Sequence, residues 1–169
     1  MTYQQSDALI INGWYIFAHP IFLDQFEQLI IQVEKYREKD PNLYKEKNAT
    51  KRLVAITNLI LKKIPRDPAL TEYRQGATLG EKNKHWFRAK FFQQYRLFFR
   101  YHHESRIIVY AWVNDENTKR AYDSKTDAYS VFKTMLSNDK PPSDWNELFK
   151  EAQKEIKRFA NYINKLNII

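Results

Sequence analysis

The order of apolar and polar residues predicts one strand and a helical hairpin in the first part of the chain. Residues 8–17 form an apolar run typical of a strand, and Ala18-His-Pro20 marks its end. Over residues 21–38 and 44–64 the apolar positions recur three and four residues apart, which is the spacing of amphipathic helices. A proline closely follows each segment, so we expect two separate helices that pack as a hairpin.

Residues 84–101 combine apolar runs with cations that stand two or four positions apart. Arg88 and Lys90 belong to the first half of this stretch, and Arg96 and Arg100 to the second. Because successive side chains of a strand point to opposite faces, these four cations are predicted to share one face of a strand pair, above an apolar underside. Such a face either binds a phosphate-rich ligand or is simply solvated. The pattern alone leaves both alternatives open.

Three strands and a set of C-terminal helices complete the predicted fold. Residues 85–92, 95–103 and 106–114 are joined by short connections and therefore predict an antiparallel meander. Helical patterns follow near residues 127–136 and over about residues 144–167. Two helices followed by strands are typical of an α+β fold, in which the helices cover one face of the sheet and leave the other face available.

The length of 169 residues fits a single domain that spans residues 1–169. Within it, the segment at about 144–167 is expected to form a helical extension. The apolar stripe of this extension favours packing on the core, with a partner protein as the alternative occupant.

Composition places most of the positive charge in one segment. The formal net charge is +8 and the isoelectric point is near 9.5. Residues 82–125 contain ten cations and four acids, interleaved with aromatic residues. This composition is typical of a surface that binds a polyanion and stacks bases, although an acidic protein partner would also fit.

Several features bear on the cellular compartment. The chain has no cysteine, which excludes disulfides, thiol nucleophiles and thiolate metal sites. Its apolar runs are shorter than the roughly 20 residues needed to span a bilayer, and residues 1–11 lack the pattern of a signal peptide. We therefore expect a cytoplasmic protein that does not associate with a membrane.

The residue inventory also argues against several classes of catalysis. His102 and His103 are adjacent in a predicted strand and point to opposite faces, so they cannot bind one metal ion together. The three glycines form no phosphate-binding loop, and no serine triad has a local signature. We expect neither a metal site nor a cofactor.

Cations and phenols remain, and one reaction of RNA needs little more. The 2′-hydroxyl attacks the adjacent phosphate when a base removes its proton, cations stabilise the charged transition state, and an acid protonates the leaving 5′-oxygen. Arginine stays protonated and holds phosphate through its planar donors, so it is a better phosphate ligand than a base. The candidates for proton transfer are Lys90, Tyr122 and Glu116. The candidates for phosphate binding are Arg88, Arg96 and Arg100.

A series of short motifs, in order over about residues 11–148, resembles the YhaV family of bacterial toxins. The motifs are Asn12-Gly-Trp14, Ala18-His-Pro20, Tyr95-Arg-Leu-Phe-Phe-Arg-Tyr101, Trp112-Val-Asn-Asp-Glu-Asn-Thr118, Thr126-Asp-Ala-Tyr129, Val131-Phe132, Met135-Leu136 and Pro141-Pro-Ser-Asp-Trp145. The segment beyond about residue 151 is not covered by them.

The resemblance implies a fold and a biological role. The fold would be RelE-like, with an N-terminal strand and helical hairpin packed on an antiparallel sheet and with additional C-terminal helices. The protein would be the toxin of a type II toxin-antitoxin system, an endoribonuclease that cleaves mRNA in association with the ribosome and inhibits growth. Its partner would be a PrlF-like antitoxin, through which the pair would bind operator DNA.

The resemblance also implies roles for individual residues. Arg88 matches the position most closely tied to toxicity. RelE-like toxins carry two basic residues two positions apart on this strand, matched by Arg88 and Lys90. An arginine after the tyrosine that opens the next strand is matched by Arg96, and a tyrosine beyond the last strand by Tyr122.

The chain departs from the pattern just after the last strand. RelE-like enzymes often have a basic residue there, whereas this chain has Asp115-Glu116. Either Arg100, Lys119 or Arg120 takes that role, or Glu116 acts as a general base. The residues expected to be catalytic are Arg88, Lys90, Arg96 and Tyr122. The further residues expected to bind RNA are Lys84, Arg100, Lys119 and Arg120.

Two further functions remain open at the level of the sequence. Some proteins with this type of fold, such as ParE-like toxins, inhibit DNA gyrase without cutting RNA, and a fold does not fix an activity. Alternatively, the protein would act only as an operon co-repressor.

Overall fold

The computed structural model describes residues 8–121 and 124–166, which form a five-stranded sheet with helices on both faces. The strands are β1 Leu9–Ile11, β2 Trp14–Ala18, β3 Phe87–Phe91, β4 Tyr95–His102 and β5 Ile107–Val113, in the order β1-β2-β5-β4-β3. The helices are α1 Pro20–Lys39, α2 Asn48–Asn58, α3 Ile64–Arg66, α4 Ala128–Ser137, α5 Trp145–Gln153 and α6 Ile156–Leu166, and a π-helical turn, Leu59–Lys63, joins α2 to α3. The predicted α+β class is confirmed.

The N-terminal segment is a hairpin, and the prediction of one continuous strand over residues 8–17 is wrong. β1 and β2 pair antiparallel around a turn at Asn12-Gly13. Both turn residues have positive φ, 51° and 79°. Asn-Gly is favoured in such turns because these two residues tolerate left-handed backbone angles. The side chain of Asn12 also donates hydrogen bonds to the carbonyls of Pro65 and Arg66, at the end of α3.

The sheet is mixed, and the prediction of an antiparallel sheet holds for the meander and for the pair of β1 and β2, but not for the pair of β2 and β5. β3, β4 and β5 are antiparallel neighbours, as expected. β2, however, runs parallel to β5. A parallel pair needs a long crossover connection. The helical hairpin and the first two strands of the meander lie between β2 and β5 in sequence and provide it.

Both faces of the sheet are covered, so the prediction that one face is left available is wrong. On one face, α1, α2 and α6 contribute to a core that includes Phe99 and Tyr110. On the other face, α4 and α5 pack over Trp86 and Phe98. We call the face that carries Arg88, Lys90 and Arg96 the cationic face, and its charged residues alternate with these large aromatic residues. Burial of each aromatic side chain is worth a few kcal/mol. Phe132 of α4 stacks on Phe98 with the ring centroids 4.3 Å apart.

The first predicted helix is confirmed, and the second is interrupted by the π-helical turn. In this turn the Ile64 N–H donates to Leu59, five residues back, instead of to Ile60. Pro65 has no N–H to offer. The carbonyl of Ile60 instead accepts a hydrogen bond of 2.7 Å from the hydroxyl of Tyr110, whose side chain is fully buried.

The predicted C-terminal extension corresponds to α5 and α6, and α6 packs on the domain itself. Phe159 and Tyr162 of α6 belong to the same core as α1. Arg158 forms ion pairs with Asp24 at 2.7 Å and Glu27 at 3.1 Å, both on α1. The core therefore covers the apolar stripe of this helix. Within the described residues, no helix combines the length and apolar character that a membrane span requires.

Candidate functional site

The cationic face lies on β3, an edge strand of the sheet, and on its neighbour β4. Arg88 pairs with Phe98 across the two strands, and Lys90 pairs with Arg96. This register places Arg88, Lys90 and Arg96 on one face, around the ring of Phe98. The predicted alternation of cations and apolar residues is therefore confirmed.

A tyrosine that the sequence did not single out stands at the centre of these cations. The hydroxyl oxygen of Tyr129, in the first turn of α4, accepts hydrogen bonds from Arg88 Nε at 2.9 Å and from Arg96 Nε at 3.2 Å. Its ring packs edge-on against Phe98 at 5.5 Å between centroids. The guanidinium of Arg120 lies over the same ring at 4.6 Å. We call Arg88, Arg96, Arg120 and Tyr129 the arginine cluster.

Arg88 is the member of the cluster that is best placed to bind a ligand. Its side chain is half-buried, and Nη1 donates a 2.6 Å hydrogen bond to the carbonyl of Glu72. Together with the Tyr129 contact, this bond fixes two of the three guanidinium nitrogens. Over residues 8–121 and 124–166, Nη2 of Arg88 has no hydrogen-bond partner. It can therefore donate to an anion from a fixed position.

Arg96 is held more deeply than Arg88. The residue is 7% exposed, and its Nη1 donates to the carbonyls of Gln93 at 2.7 Å and Tyr95 at 2.9 Å. Its backbone N–H donates to the side chain of Asn114 at 2.6 Å. These bonds orient Arg96 toward Tyr129 and limit its contact with any substrate.

Arg120 is anchored by an acidic residue at the start of α4. Its Nη1 contacts Asp127 Oδ1 at 2.7 Å, and this carboxylate also accepts the backbone N–H groups of Ala121 and Tyr129. Burial opposes the ionisation of Asp127, but these three donors outweigh it and hold its pKa below the ordinary value. Asp127 therefore remains charged and fixes both Arg120 and the N-terminus of α4.

Arg100 was predicted to bind RNA, and it lies under the segment that leads into α5. Its guanidinium stands over the rings of Trp86 at 5.3 Å and Trp145 at 5.6 Å. Its Nη1 donates to the carbonyl of Ser143 at 2.7 Å. Burial lowers the pKa of Arg100 to about 10, with Asp144 acting in the opposite direction, so the group stays protonated at neutral pH. These contacts tie α5 to β4.

The structure does not bring Glu116 to the arginine cluster. Glu116 is exposed and pairs with Arg52 at 3.4 Å. Arg52 in turn stacks on Tyr95, whose side chain leaves β4 on the opposite face from Arg96. The candidate general base therefore lies on the other side of the sheet from Arg88.

The remaining predicted residues are distributed around the cluster. Lys90 is exposed beside Arg96, and Lys119 is exposed on the loop after β5. Lys84 is exposed and pairs with Glu81 at 2.8 Å. Tyr122 lies outside the residues that the structure describes. In the described ranges, no three His, Cys, Asp or Glu side chains come close enough together to hold a metal ion.

Tyr129 and Asp127 were missed as site residues, although part of the signal was present. Asp127 precedes a helical pattern, which is typical of an N-cap, and Tyr129 follows two positions later. A tyrosine in the first turn of a helix is usually read as a core residue. Its contact with Arg88 and Arg96 depends on where α4 packs on the sheet, which the local pattern does not fix.

The geometry joins fixed positive charge to a buried phenol. Such an arrangement can hold a phosphate and stabilise the negative charge that develops when the phosphate is attacked.

Comparisons with known proteins agree with this chemistry. Residues 16–153 match the Toxin_YhaV family, described as a toxin with endonuclease activity, of toxin-antitoxin system. The chain is 44% identical over 146 residues to the ribonuclease toxin YhaV of Escherichia coli K12, covering 85% of this chain and 95% of that protein. Toxin YhaV of Escherichia coli O157:H7 has the same identity and coverage. No solved structure matches this chain significantly.

Proposed function

We propose that this chain, which belongs to the YhaV family of toxins with endonuclease activity, is the toxin of a toxin-antitoxin system and cleaves RNA without a metal ion. The observation that carries the proposal is the arginine cluster, in which Arg88 presents a fixed donor beside Tyr129. The similarity to a protein named a ribonuclease toxin supports RNA as the substrate.

The proposed reaction is a transfer within the RNA strand. A base takes the proton of the 2′-hydroxyl, and the 2′-oxygen forms a bond to the adjacent phosphorus. The bond from phosphorus to the 5′-oxygen then breaks, and an acid gives that oxygen a proton. The products are a 2′,3′-cyclic phosphate and a 5′-hydroxyl. Neither an oxidant nor a metal ion is needed.

Four of the predicted residues, together with Tyr129, take a role in this scheme. Arg88 binds the scissile phosphate and stabilises its developing charge, since a planar guanidinium stays protonated and donates from fixed positions. Arg96 and Tyr129 hold Arg88 in place and are positioning residues. Lys90, exposed next to Arg96, and Tyr122 are the candidates for proton transfer.

The wider biology follows the family. We propose a RelE-like fold, mRNA cleavage in association with the ribosome, and neutralisation by a PrlF-like antitoxin through which the pair binds operator DNA. We place the protein in the cytoplasm. Lys84, Lys119 and Arg120 would contact RNA around the site, although the ion pairs of Lys84 and Arg120 already use part of their charge.

Cleavage of RNA by the purified toxin in the presence of EDTA tests this proposal. We expect EDTA to leave the cleavage of RNA free of ribosomes unchanged, because the charge that stabilises the transition state comes from side chains. Cleavage on translating ribosomes is measured separately with Mg²⁺ present, since ribosomes need this ion to stay assembled. The variant Arg88→Ala should remain folded and lose both cleavage and growth arrest. Inhibition of gyrase supercoiling without any RNA cleavage would instead assign the protein to the gyrase inhibitors, and retained operator binding without toxicity would leave a co-repressor.

A further inference from the structure

A basic cleft lies along the free edge of β3, next to the arginine cluster. Its volume is about 610 Å³. Three separate parts of the chain contribute cations to its lining: the π-helical turn with α3, the loop before β3, and β3 itself. The cations are Lys63, Arg66, Arg74, Arg88 and Lys90, and the single carboxylate in the lining is Glu72.

The fold brings these cations together by specific features of the backbone. The π-helical turn ends at Lys63, and α3 ends at Arg66, where Asn12 binds the last carbonyls of the helix. The backbone of Arg74 pairs with Phe87 as an isolated bridge on the outer side of β3. The loop therefore runs beside the strand and places its cation at the cleft.

Within the described residues, five cations line this cleft without acidic partners of their own. Elsewhere, Lys84 pairs with Glu81 and Arg158 pairs with Asp24 and Glu27. Across the described parts of the chain, none of the five cleft cations has a carboxylate oxygen within ion-pair distance. Four of the five are exposed, and Arg88 is half-buried. Like charges that face one cleft repel each other, and an anion bound between them relieves that repulsion.

We propose that this cleft binds the sugar-phosphate backbone of the RNA strand next to the cleaved bond, an inference that rests on the proposed function. Arg88 belongs to both the cleft and the arginine cluster, so a strand held at Arg88 continues into the cleft. Lys63, Arg66 and Arg74 then contact successive phosphates. Because these contacts involve phosphates alone, they add affinity without selecting a base sequence.

The salt dependence of RNA binding tests this role directly. For single strands, the slope of log binding constant against log salt concentration is about −0.7 for each neutralised phosphate. The double variant Lys63→Gln/Arg66→Gln should therefore bind the RNA more weakly than wild type does, and its slope should be shallower by about 1.4. The single variant Arg74→Gln should lose about half as much. The probe is a short, fluorescently labelled 2′-O-methyl oligoribonucleotide of mixed sequence, which cannot be cleaved by 2′-oxygen attack.

The variant Lys39→Gln/Lys62→Gln is the matched control. Both lysines are exposed, neither lines the cleft, and the change in net charge is the same. We expect this control to keep the wild-type slope. An unchanged slope in Lys63→Gln/Arg66→Gln, an equal loss in the control, or a loss of duplex DNA binding without any loss of RNA binding would each overturn the inference.

The binding and cleavage assays together distinguish a failure of the proposed cleft from a failure of the proposed reaction. A wild-type protein that binds the methylated RNA through the cleft and fails to cleave unmethylated RNA refutes the proposed reaction alone. A protein that cleaves RNA and whose cleft variants bind like wild type refutes the cleft alone.

Discussion

Among single residues, the role of an arginine at the site depends as much on how its side chain is held as on its charge. Arg88 and Arg96 both donate to the Tyr129 hydroxyl, and in the described residues each has an Nη2 without a hydrogen-bond partner. They differ in burial, because Arg88 is half-buried whereas Arg96 is only 7% exposed. Two cations on one face can therefore have different roles. In the proposed mechanism, Arg88 contacts the substrate and Arg96 maintains the geometry.

Removal of the Tyr129 hydroxyl should separate these two roles. In Tyr129→Phe, the two Nε groups lose their common acceptor, and a hydrogen bond from a charged donor is worth about 1.5 to 3 kcal/mol. We expect kcat to fall by about tenfold or more, with a smaller change in KM, because the misplaced group acts in the transition state. Steady-state cleavage kinetics of the folded variant measure this effect.

The control for Tyr129→Phe is a cycle with Arg88→Lys. Lysine has no Nε–H donor in this position, so the Tyr129 contact is already lost in Arg88→Lys. The second substitution should then cost clearly less than it does in the wild type. Fully additive losses, or a Tyr129→Phe enzyme with wild-type kcat, would show that the phenol does not position Arg88.

The sequence pattern predicted the two strands of the site correctly, but it did not predict the position of Tyr129 between the cations. The period of two in residues 84–101 is a local property, and it placed Arg88, Lys90 and Arg96 on one face correctly. The position of Tyr129 over that face depends on the packing of α4, which sequence periodicity does not contain. For the same reason, the sequence around Glu116 did not indicate that this side chain would lie on the other side of the sheet from Arg88.

At the scale of elements, the π-helical turn connects the core to the basic cleft. Its position follows from Pro65, which cannot donate to the preceding turn, and from Tyr110, which supplies the missing donor. The interruption ends in Lys63, one of the cations of the cleft. An interruption of this kind in a helix is costly unless its free carbonyl finds a partner.

The variant Tyr110→Phe should therefore destabilise the protein. It leaves the buried Ile60 carbonyl without a donor, which costs about 1 to 3 kcal/mol. Urea unfolding at equilibrium measures the change in the free energy of unfolding. The matched variant is Tyr36→Phe, since that hydroxyl accepts from Gln32 on the surface, and it should change stability by less than about 0.5 kcal/mol. Equal stability of Tyr110→Phe and wild type would contradict this explanation of the turn.

The prediction of strand pairing failed where the paired strands are far apart in the sequence. The antiparallel meander has short connections, which fix its topology. The parallel partner of β2 is β5, far along the chain, and no pattern within either strand specifies it. The hairpin at Asn12-Gly13 is the opposite case, because its turn signal was present in the sequence and was outweighed by the continuous apolar run.

At the scale of the whole molecule, the domain extends beyond the part that matches the family. The match ends at residue 153, whereas α6 spans Ile156–Leu166 and buries Phe159 and Tyr162 in the main core. α5 and α6 lie on opposite faces of the sheet, so the end of the chain contributes to both cores. β1 and β3 are the two edge strands of the sheet, and the turn of the N-terminal hairpin reaches the basic cleft through the bonds from Asn12 to the carbonyls of Pro65 and Arg66.

In the proposed reaction, the protein cuts RNA by attack of the 2′-hydroxyl at a site built from Arg88 and its neighbours. Mass spectrometry of the fragment ends after cleavage in EDTA distinguishes this reaction from hydrolysis by a metal-bound water. We expect a 2′,3′-cyclic phosphate or 3′-phosphate on the upstream fragment, a 5′-hydroxyl on the downstream fragment, and no products from folded Arg88→Ala. Fragments with 3′-hydroxyl and 5′-phosphate ends, or undiminished cleavage by Arg88→Ala, would contradict it.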